Sequence, residues 1–140
     1  MSILYFAYGA NLDRKAMLLR CPGATVVERA TLADHQLVAM QEGWLSIAPH
    51  CETHTDGLLW KLNQDHLIAL DEYEEVADGL YVHEHRLVQR QSGGCVEALV
   101  YVGSNPGPGR LHKEYAERVA RAARHELSQE AAKRIQDLSS

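Results

Sequence analysis

Four carboxylates, Asp71, Glu72, Glu74 and Glu75, stand at the end of an apolar-periodic run that begins at Gln64. On a helical wheel of about 100° per residue, Leu67, Leu70 and Glu74 share an arc of roughly 60°. Glu74 then points from the centre of the apolar face. A carboxylate held there is partly desolvated, which disfavours its charged form and raises its pKa. That is how a glutamate becomes a general acid/base near neutral pH. Asp71, on the flank of the arc, is the nearest rival. Glu72 and Glu75 lie further round. The plainer alternative is a helix that stops before Glu74 and leaves the cluster as a solvated acidic cap.

A second chemical feature follows the first apolar run. In Tyr8-Gly9-Ala10-Asn11-Leu12, Gly9 permits a turn that a Cβ would forbid. Asn11 tolerates left-handed backbone and bonds locally. Successive N–H groups in such a turn, ahead of a helix N-terminus, form a concave site for a carboxylate or phosphate. An ordinary strand-to-helix turn is the competing reading.

The chain has eight histidines and three cysteines. His50-Cys51-Glu52-Thr53-His54 is the densest set, with three N/S groups that suit a soft metal. It reads as a polar hairpin loop without a second ligand pair, so no metal site is expected. His83 and His85 share one strand face, where cross-strand packing is the ordinary role. His35 and His66 read as surface or edge residues, and His112 and His125 as parts of the C-terminal segment. Cys21 precedes Pro22 with no base partner for a thiolate nucleophile. Arg118, Arg121 and Arg124 recur at helical spacing. They read as a solvated face balanced by Glu114, Glu117 and Glu126, with an interaction face as the alternative.

The motifs fall in an order that resembles the γ-glutamylcyclotransferase-like (AIG2-like) family. Tyr5-Phe6-Ala7-Tyr8-Gly9-Ala10-Asn11-Leu12 resembles that family's YFAYGSNL signature. Gly57-Leu58-Leu59-Trp60-Lys61-Leu62 resembles its glycine-led strand, and Leu70-Asp71-Glu72-Tyr73-Glu74 its LDxxE motif. Tyr81 matches the tyrosine that opens the next strand. The resemblance implies an enzyme that cyclises a small γ-glutamyl substrate. The substrate's α-amine attacks its own γ-carbonyl, leaving 5-oxoproline and releasing an amine or amino acid. Glu74 would be the catalytic general base. Tyr8, Gly9, Ala10, Asn11 and Leu12 would hold the α-carboxylate, and Tyr81 would line the pocket. No cofactor is implied. Ala10 stands where the family has serine, and Glu75 where glycine often follows the catalytic glutamate. These departures keep open a non-catalytic ligand-binding or interaction domain of the same fold.

The elements that must position these groups are legible in outline. Residues 3–8 read as a buried strand, and Asp13 as the N-cap of a short helix stopped by Pro22-Gly23. Residues 25–40 hold one long or two short strands. Trp44–Pro49 and Gly57–Leu62 read as two strands joined by the polar loop. Asn63 caps the Gln64–Glu75 helix. Leu80–Gln91 and Cys95–Val102 form a hairpin. After the turn-rich hinge 103–109, Lys113–His125 and Gln129–Leu138 are helices. The pattern is α+β, a mixed, barrel-like sheet with flanking helices, in a single domain over 1–140 with a helical tail from about 110.

Composition narrows the remaining classes. Of 140 residues, 46% are apolar and the net charge is −5, enough for a core without disulfides or a structural metal. The acidic balance gives no pull toward nucleic acid or an anionic membrane. The apolar start is short and lacks a basic flank, so it reads as a strand and not a signal peptide. Odd, widely spaced cysteines suit a reducing cytoplasm. Monomer and homodimer both remain open.

Overall fold

The computed structural model describes residues 2–140; Met1, at the head of the first apolar run, lies outside them. In chain order the elements are β1 (Ile3–Ala7), a 3-10 turn (Ala10–Leu12), α1 (Arg14–Arg20), β2 (Thr25–Ala39), β3 (Leu45–Leu62), α2 (Gln64–Tyr73), a second 3-10 turn (Val76–Asp78), β4 (Tyr81–Arg90), β5 (Cys95–Gly103), α3 (Lys113–Glu126) and α4 (Gln129–Asp137). The strands close into a barrel in the order β1-β3-β2-β4-β5. The β1–β5 seam is parallel, through Tyr5 opposite Leu99, and the other pairings are antiparallel. This is the mixed barrel expected from the strand pattern.

Local signals set the helix starts. The Asp13 carboxylate accepts from the Lys15 and Ala16 N–H groups at the head of α1. Asn63 opens α2 with a reciprocal pair: its side chain accepts from His66 N, and the Asn63 N–H donates to His66 Nδ1. That acceptor role puts the imidazole proton on Nε2, 2.6 Å from the Pro22 carbonyl. His66 is therefore a buried structural group, not the surface residue its sequence context suggests.

Two expectations need correction. The polar stretch 50–54 is not a loop between two strands, because β3 runs through it. Register with β2 passes from Ala33–His54 to His35–Pro49. Residues 50–53 thus oppose Asp34 alone, in a bulge. Asp34 and Glu52 both take positive φ, and the Glu52 N–H donates to Asp34 Oδ1. Polar bulge residues break the period-2 pattern that marks a strand.

Nor do the last two helices form an appended tail behind a hinge. Tyr115, Ala116, Val119, Ala120 and Ala123 of α3, with Ala132 and Ile135 of α4, belong to the common core. The α3 face packs on the Ala10–Leu12 turn. Glu126, read as solvated, is buried and takes a bidentate pair from Arg14 at 2.8 and 2.9 Å. The glycine-rich segment lies against the β2–β3 hairpin, where a Cβ on Gly109 would overlap the Met40 carbonyl.

Gly57 has a comparable packing reason. A Cβ there would collide with the Ala7 carbonyl and approach Phe6 Cζ to 2.7 Å. Both belong to the fully buried end of β1. Gly57→Ala is expected to lower stability by about 1–3 kcal/mol through overpacking, read from urea unfolding midpoints. An unchanged midpoint would mean that the β1–β3 seam has slack.

Candidate active site

A cavity of about 240 Å³ opens where the 3-10 turn, the end of α2, the start of β4, β5 and α3 meet. A small ligand suits a space of that size. Its wall includes Gly9, Ala10, Asn11, Glu74 and Glu75, with Trp44, Leu45 and Leu80 as apolar panels. All six tyrosines of the chain, Tyr5, Tyr8, Tyr73, Tyr81, Tyr101 and Tyr115, line it. Arg118 is its one cation among the described residues.

Glu74 reaches this wall by a route slightly different from the wheel. Helix α2 stops at Tyr73, and Glu74 is its C-cap, with its N–H still donating to the Leu70 carbonyl at 2.8 Å. Glu75 then turns the chain at φ 53°, ψ 45°. This left-handed geometry favours glycine. One residual helical step keeps Glu74 directed inward, while Glu72 and Glu75 remain exposed. Burial pushes the Glu74 carboxyl up to about 7; Arg20 pulls the other way and Glu75 adds to the rise. Asp71 is engaged elsewhere. Its Oδ1 accepts from the Tyr101 hydroxyl at 2.7 Å and lies 3.9 Å from His83 Nδ1. His83 stacks on the Tyr101 ring across the strands.

The turn after β1 departs from its expected local geometry. Gly9 has φ −130°, and a Cβ on it would make only ordinary contacts at 3.6 Å with Leu45 Cδ1 and the Tyr115 hydroxyl. Asn11 is in a right-handed 3-10 turn, not a left-handed one. Its side chain is buried and bonded through both the nitrogen and the oxygen: Nδ2 donates to the Tyr5 hydroxyl at 3.0 Å, and Oδ1 accepts from Arg20 at 2.7 Å. Its carbonyl accepts from Trp60 Nε1 at 3.2 Å. The first bond of the turn runs from the Leu12 N–H to the Gly9 carbonyl at 2.9 Å. The N–H groups of Gly9, Ala10 and Asn11 therefore lie outside the turn's own bonding. Leu12 is core, fully buried, and stands off the cavity wall.

The tyrosines divide by what their hydroxyls do. Tyr8 donates to the Tyr101 carbonyl at 2.6 Å, and Tyr81 donates to the Leu45 carbonyl. Tyr81 thus lines the cavity with its proton committed to backbone. Tyr115 accepts from the Leu45 N–H at 3.3 Å, so its own proton remains available. Burial raises the pKa of Tyr5, Tyr8, Tyr81, Tyr101 and Tyr115 above the ordinary phenol value, and the Glu74 charge adds to each shift. They stay neutral wherever Glu74 titrates.

Sequence reasoning missed Trp44, Tyr101, Tyr115 and Arg118 as wall residues. Each sits on a different part of the chain from the turn and is brought to it by barrel closure or by α3. The His50, Cys51 and His54 side chains do not gather into a ligand set, and no group of three or more potential metal ligands occurs among the described residues. No helix there is long and apolar enough to cross a membrane.

A carboxyl whose folded pKa exceeds its unfolded value favours folding in its protonated form. That contribution is fully present below about 4.5 and is lost as pH rises through about 7. Glu74→Gln stays neutral throughout. Its stability relative to the native chain is expected to grow between pH 4.5 and 8, measured by urea denaturation across that range. A gap independent of pH would contradict a desolvated carboxyl.

A family model described as gamma-glutamyl cyclotransferase, AIG2-like, matches residues 5–122. The gamma-glutamylcyclotransferase of Bos taurus is 35% identical over 114 residues, covering 74% of this chain and 61% of that protein. The Homo sapiens protein of the same name matches with the same identity and coverage. This chain thus aligns to about three-fifths of those relatives' length. A solved gamma-glutamyl cyclotransferase structure superposes with a TM-score of 0.90 at 27% identity, covering 99% of this chain and 89% of that one. With well over half of its residues inside the family model and the barrel shared throughout, the chain belongs to the gamma-glutamyl cyclotransferase, AIG2-like family.

Proposed function

We propose that this protein is a γ-glutamylcyclotransferase-type enzyme that converts a small γ-glutamyl substrate to 5-oxoproline and releases an amine or amino acid. The observation that carries this reading is the Glu74 carboxyl, raised to about 7 by burial and set in the same small cavity as the Gly9–Asn11 turn. The solved relative named gamma-glutamyl cyclotransferase shares the fold over nearly the whole chain, which supports transfer of that activity. The three unpaired cysteines fit a reducing cytoplasm.

The attack is intramolecular, so the protein need only fold the substrate and move protons. Confinement in the cavity supplies proximity. The N–H groups of Gly9, Ala10 and Asn11 hold the α-carboxylate, and Tyr8 and Tyr81 shape the wall around the glutamyl chain. Glu74 removes a proton from the α-ammonium and frees its lone pair. The nitrogen attacks the γ-carbonyl carbon, whose oxygen takes the displaced electron pair. Glu74 returns its proton to the leaving nitrogen. The carbonyl reforms as the old C–N bond breaks, and the bond electrons depart with the amine. The ring nitrogen gives its extra proton to Glu74, which passes it to the released amine or to water. No redox step or enzyme-bound intermediate occurs. Tyr5, Tyr8, Tyr81, Tyr101 and Tyr115, kept neutral by burial, act only as donors and acceptors.

A pKa of about 7 suits a group that must take and then give a proton near neutrality. In a panel of γ-glutamyl amino acids and amines monitored for 5-oxoproline, kcat is expected to rise with pH through about 7, as Glu74 ionises. Glu74→Gln should lower turnover by at least about 10²-fold while the protein remains folded by circular dichroism. Normal turnover by that variant would remove Glu74 from the mechanism. Absence of 5-oxoproline with every substrate, alongside measurable binding, would favour the non-catalytic reading.

A further inference from the structure

Asp71 has no part in the proton transfers described above, yet it stands one helical turn before Glu74. Its Oδ1 accepts from the Tyr101 hydroxyl at 2.7 Å and so ties α2 to β5. Tyr101 is buried and lines the same cavity as Glu74. The two are near enough for the Glu74 charge to raise the phenol pKa. The exposed His83 ring lies against the pair, stacked on Tyr101 and with Nδ1 3.9 Å from Asp71 Oδ1.

A phenol hydroxyl has one proton to give and lone pairs that accept, whereas a carboxylate only accepts. The Tyr101 proton is therefore spent on Asp71, and the phenol oxygen is left as an acceptor. Tyr8 and Tyr81 also spend their protons, but on neutral backbone carbonyls. A bond to a carboxylate is the stronger kind, and it polarises the hydroxyl so that its oxygen accepts better. On the reading of the site given above, the substrate brings a group that needs such an acceptor. Its α-ammonium carries three N–H donors, and Glu74 receives one of them. A second acceptor beside Glu74 fixes the nitrogen, so that the lone pair freed by proton loss faces the γ-carbonyl carbon.

We propose that Asp71 is a positioning residue that holds the Tyr101 hydroxyl as an acceptor for the substrate's α-amino group. Tyr101 makes the contact, and Asp71 acts through it. This inference rests on the cyclotransferase reading and adds to it a partner for the attacking nitrogen.

The test pairs the γ-glutamyl compound of the panel that the native chain cyclises fastest with its glutaryl counterpart. The glutaryl compound lacks the α-amino group, so it cannot cyclise and is read as a competitive inhibitor. Asp71→Ala should lower kcat/KM on the substrate by about ten- to a hundredfold. It should leave the Ki of the glutaryl compound within about twofold. Tyr101→Phe should show the same split, and adding Asp71→Ala to it should cost no more than about a further twofold. Asp71→Asn, whose amide oxygen still accepts from the hydroxyl, should recover part of the rate. Equal weakening of substrate and inhibitor would make the pair a structural tie and overturn the proposal. So would an unchanged rate in either single variant, or losses that add in full in the double variant. Should Asp71→Ala fail to fold, the split in Tyr101→Phe, present or absent, decides alone. If no member of the panel yields 5-oxoproline with the native chain, the cyclotransferase reading fails and takes this inference with it. Cyclisation by the native chain without the split in the variants sinks the Asp71 assignment alone.

Discussion

The Glu74 carboxyl loses more hydration on entering the tyrosine-lined cavity than its neighbours restore, and the chemistry of the site depends on that imbalance. A fully solvated glutamate would be too weak a base near neutrality, and one ion-paired to a guanidinium would be weaker still. Arg20 is near enough to lower the Glu74 pKa, yet its effect is outweighed by desolvation. The reason is visible in its other contacts. Its guanidinium donates to Asn11 Oδ1 and lies 3.6 Å from the Tyr73 ring centroid. Held there, Arg20 is not in a close pair with Glu74. Tyr5, Tyr8, Tyr81, Tyr101 and Tyr115 contribute bulk and low polarity without offering a second titrating group, since burial lifts their pKa values further from neutrality.

Asn11 links this electrostatic arrangement to the fold. One amide side chain receives Arg20 and reaches the Tyr5 hydroxyl, while the carbonyl of the same residue receives Trp60 from β3. The run from Tyr5 to Leu12 is therefore a structural bracket as well as part of the cavity wall. It fixes β1, α1 and β3 relative to one another, and so holds Gly9, Ala10 and Asn11 in place on the cavity wall. A buried amide without partners would cost about 1–3 kcal/mol for each group left unpaired. The requirement for asparagine at this position is thus met by burial and bonding, and left-handed backbone has no part in it.

Much of the site was legible because its key residues carry local signals. Asp13 and Asn63 mark helix starts through their own side chains, and Glu74 interrupts an apolar arc. The wheel argument reached the correct side of α2 even though the helix ends at Tyr73, two residues before the expected Glu75, since the C-cap backbone nearly continues the helical path. Tyr115 and Arg118 carry no such signal. They lie more than a hundred residues from the turn they face, and on α3 they look like one apolar and one solvated position. Their role depends on α3 packing over the turn, a long-range fact that periodicity does not encode. The β3 bulge was hidden for a different reason. His50, Cys51 and Glu52 are exposed in a bulge, with Thr53 Oγ1 donating to the His50 carbonyl, so the polarity of this stretch reads as a loop when it interrupts a single strand.

Glu75 shows how a departure from the family pattern is accommodated. The chain must reverse after Glu74 so that β4 can enter the barrel at Tyr81, and the reversal uses a left-handed residue. Glycine meets that demand freely, whereas a side chain there carries a penalty of about 1–2 kcal/mol. The turn persists because it is bonded on both sides. The Glu75 N–H donates to the Glu72 carbonyl, and the Glu75 carbonyl accepts from the Asp78 and Leu80 N–H groups. The substituted side chain also acts on the chemistry, because its negative charge raises the Glu74 pKa. Glycine at this position would relax the backbone and remove that contribution together. The strain at Glu75 and the basicity of Glu74 are therefore coupled through one residue, at the place where helix geometry ends and the cavity begins.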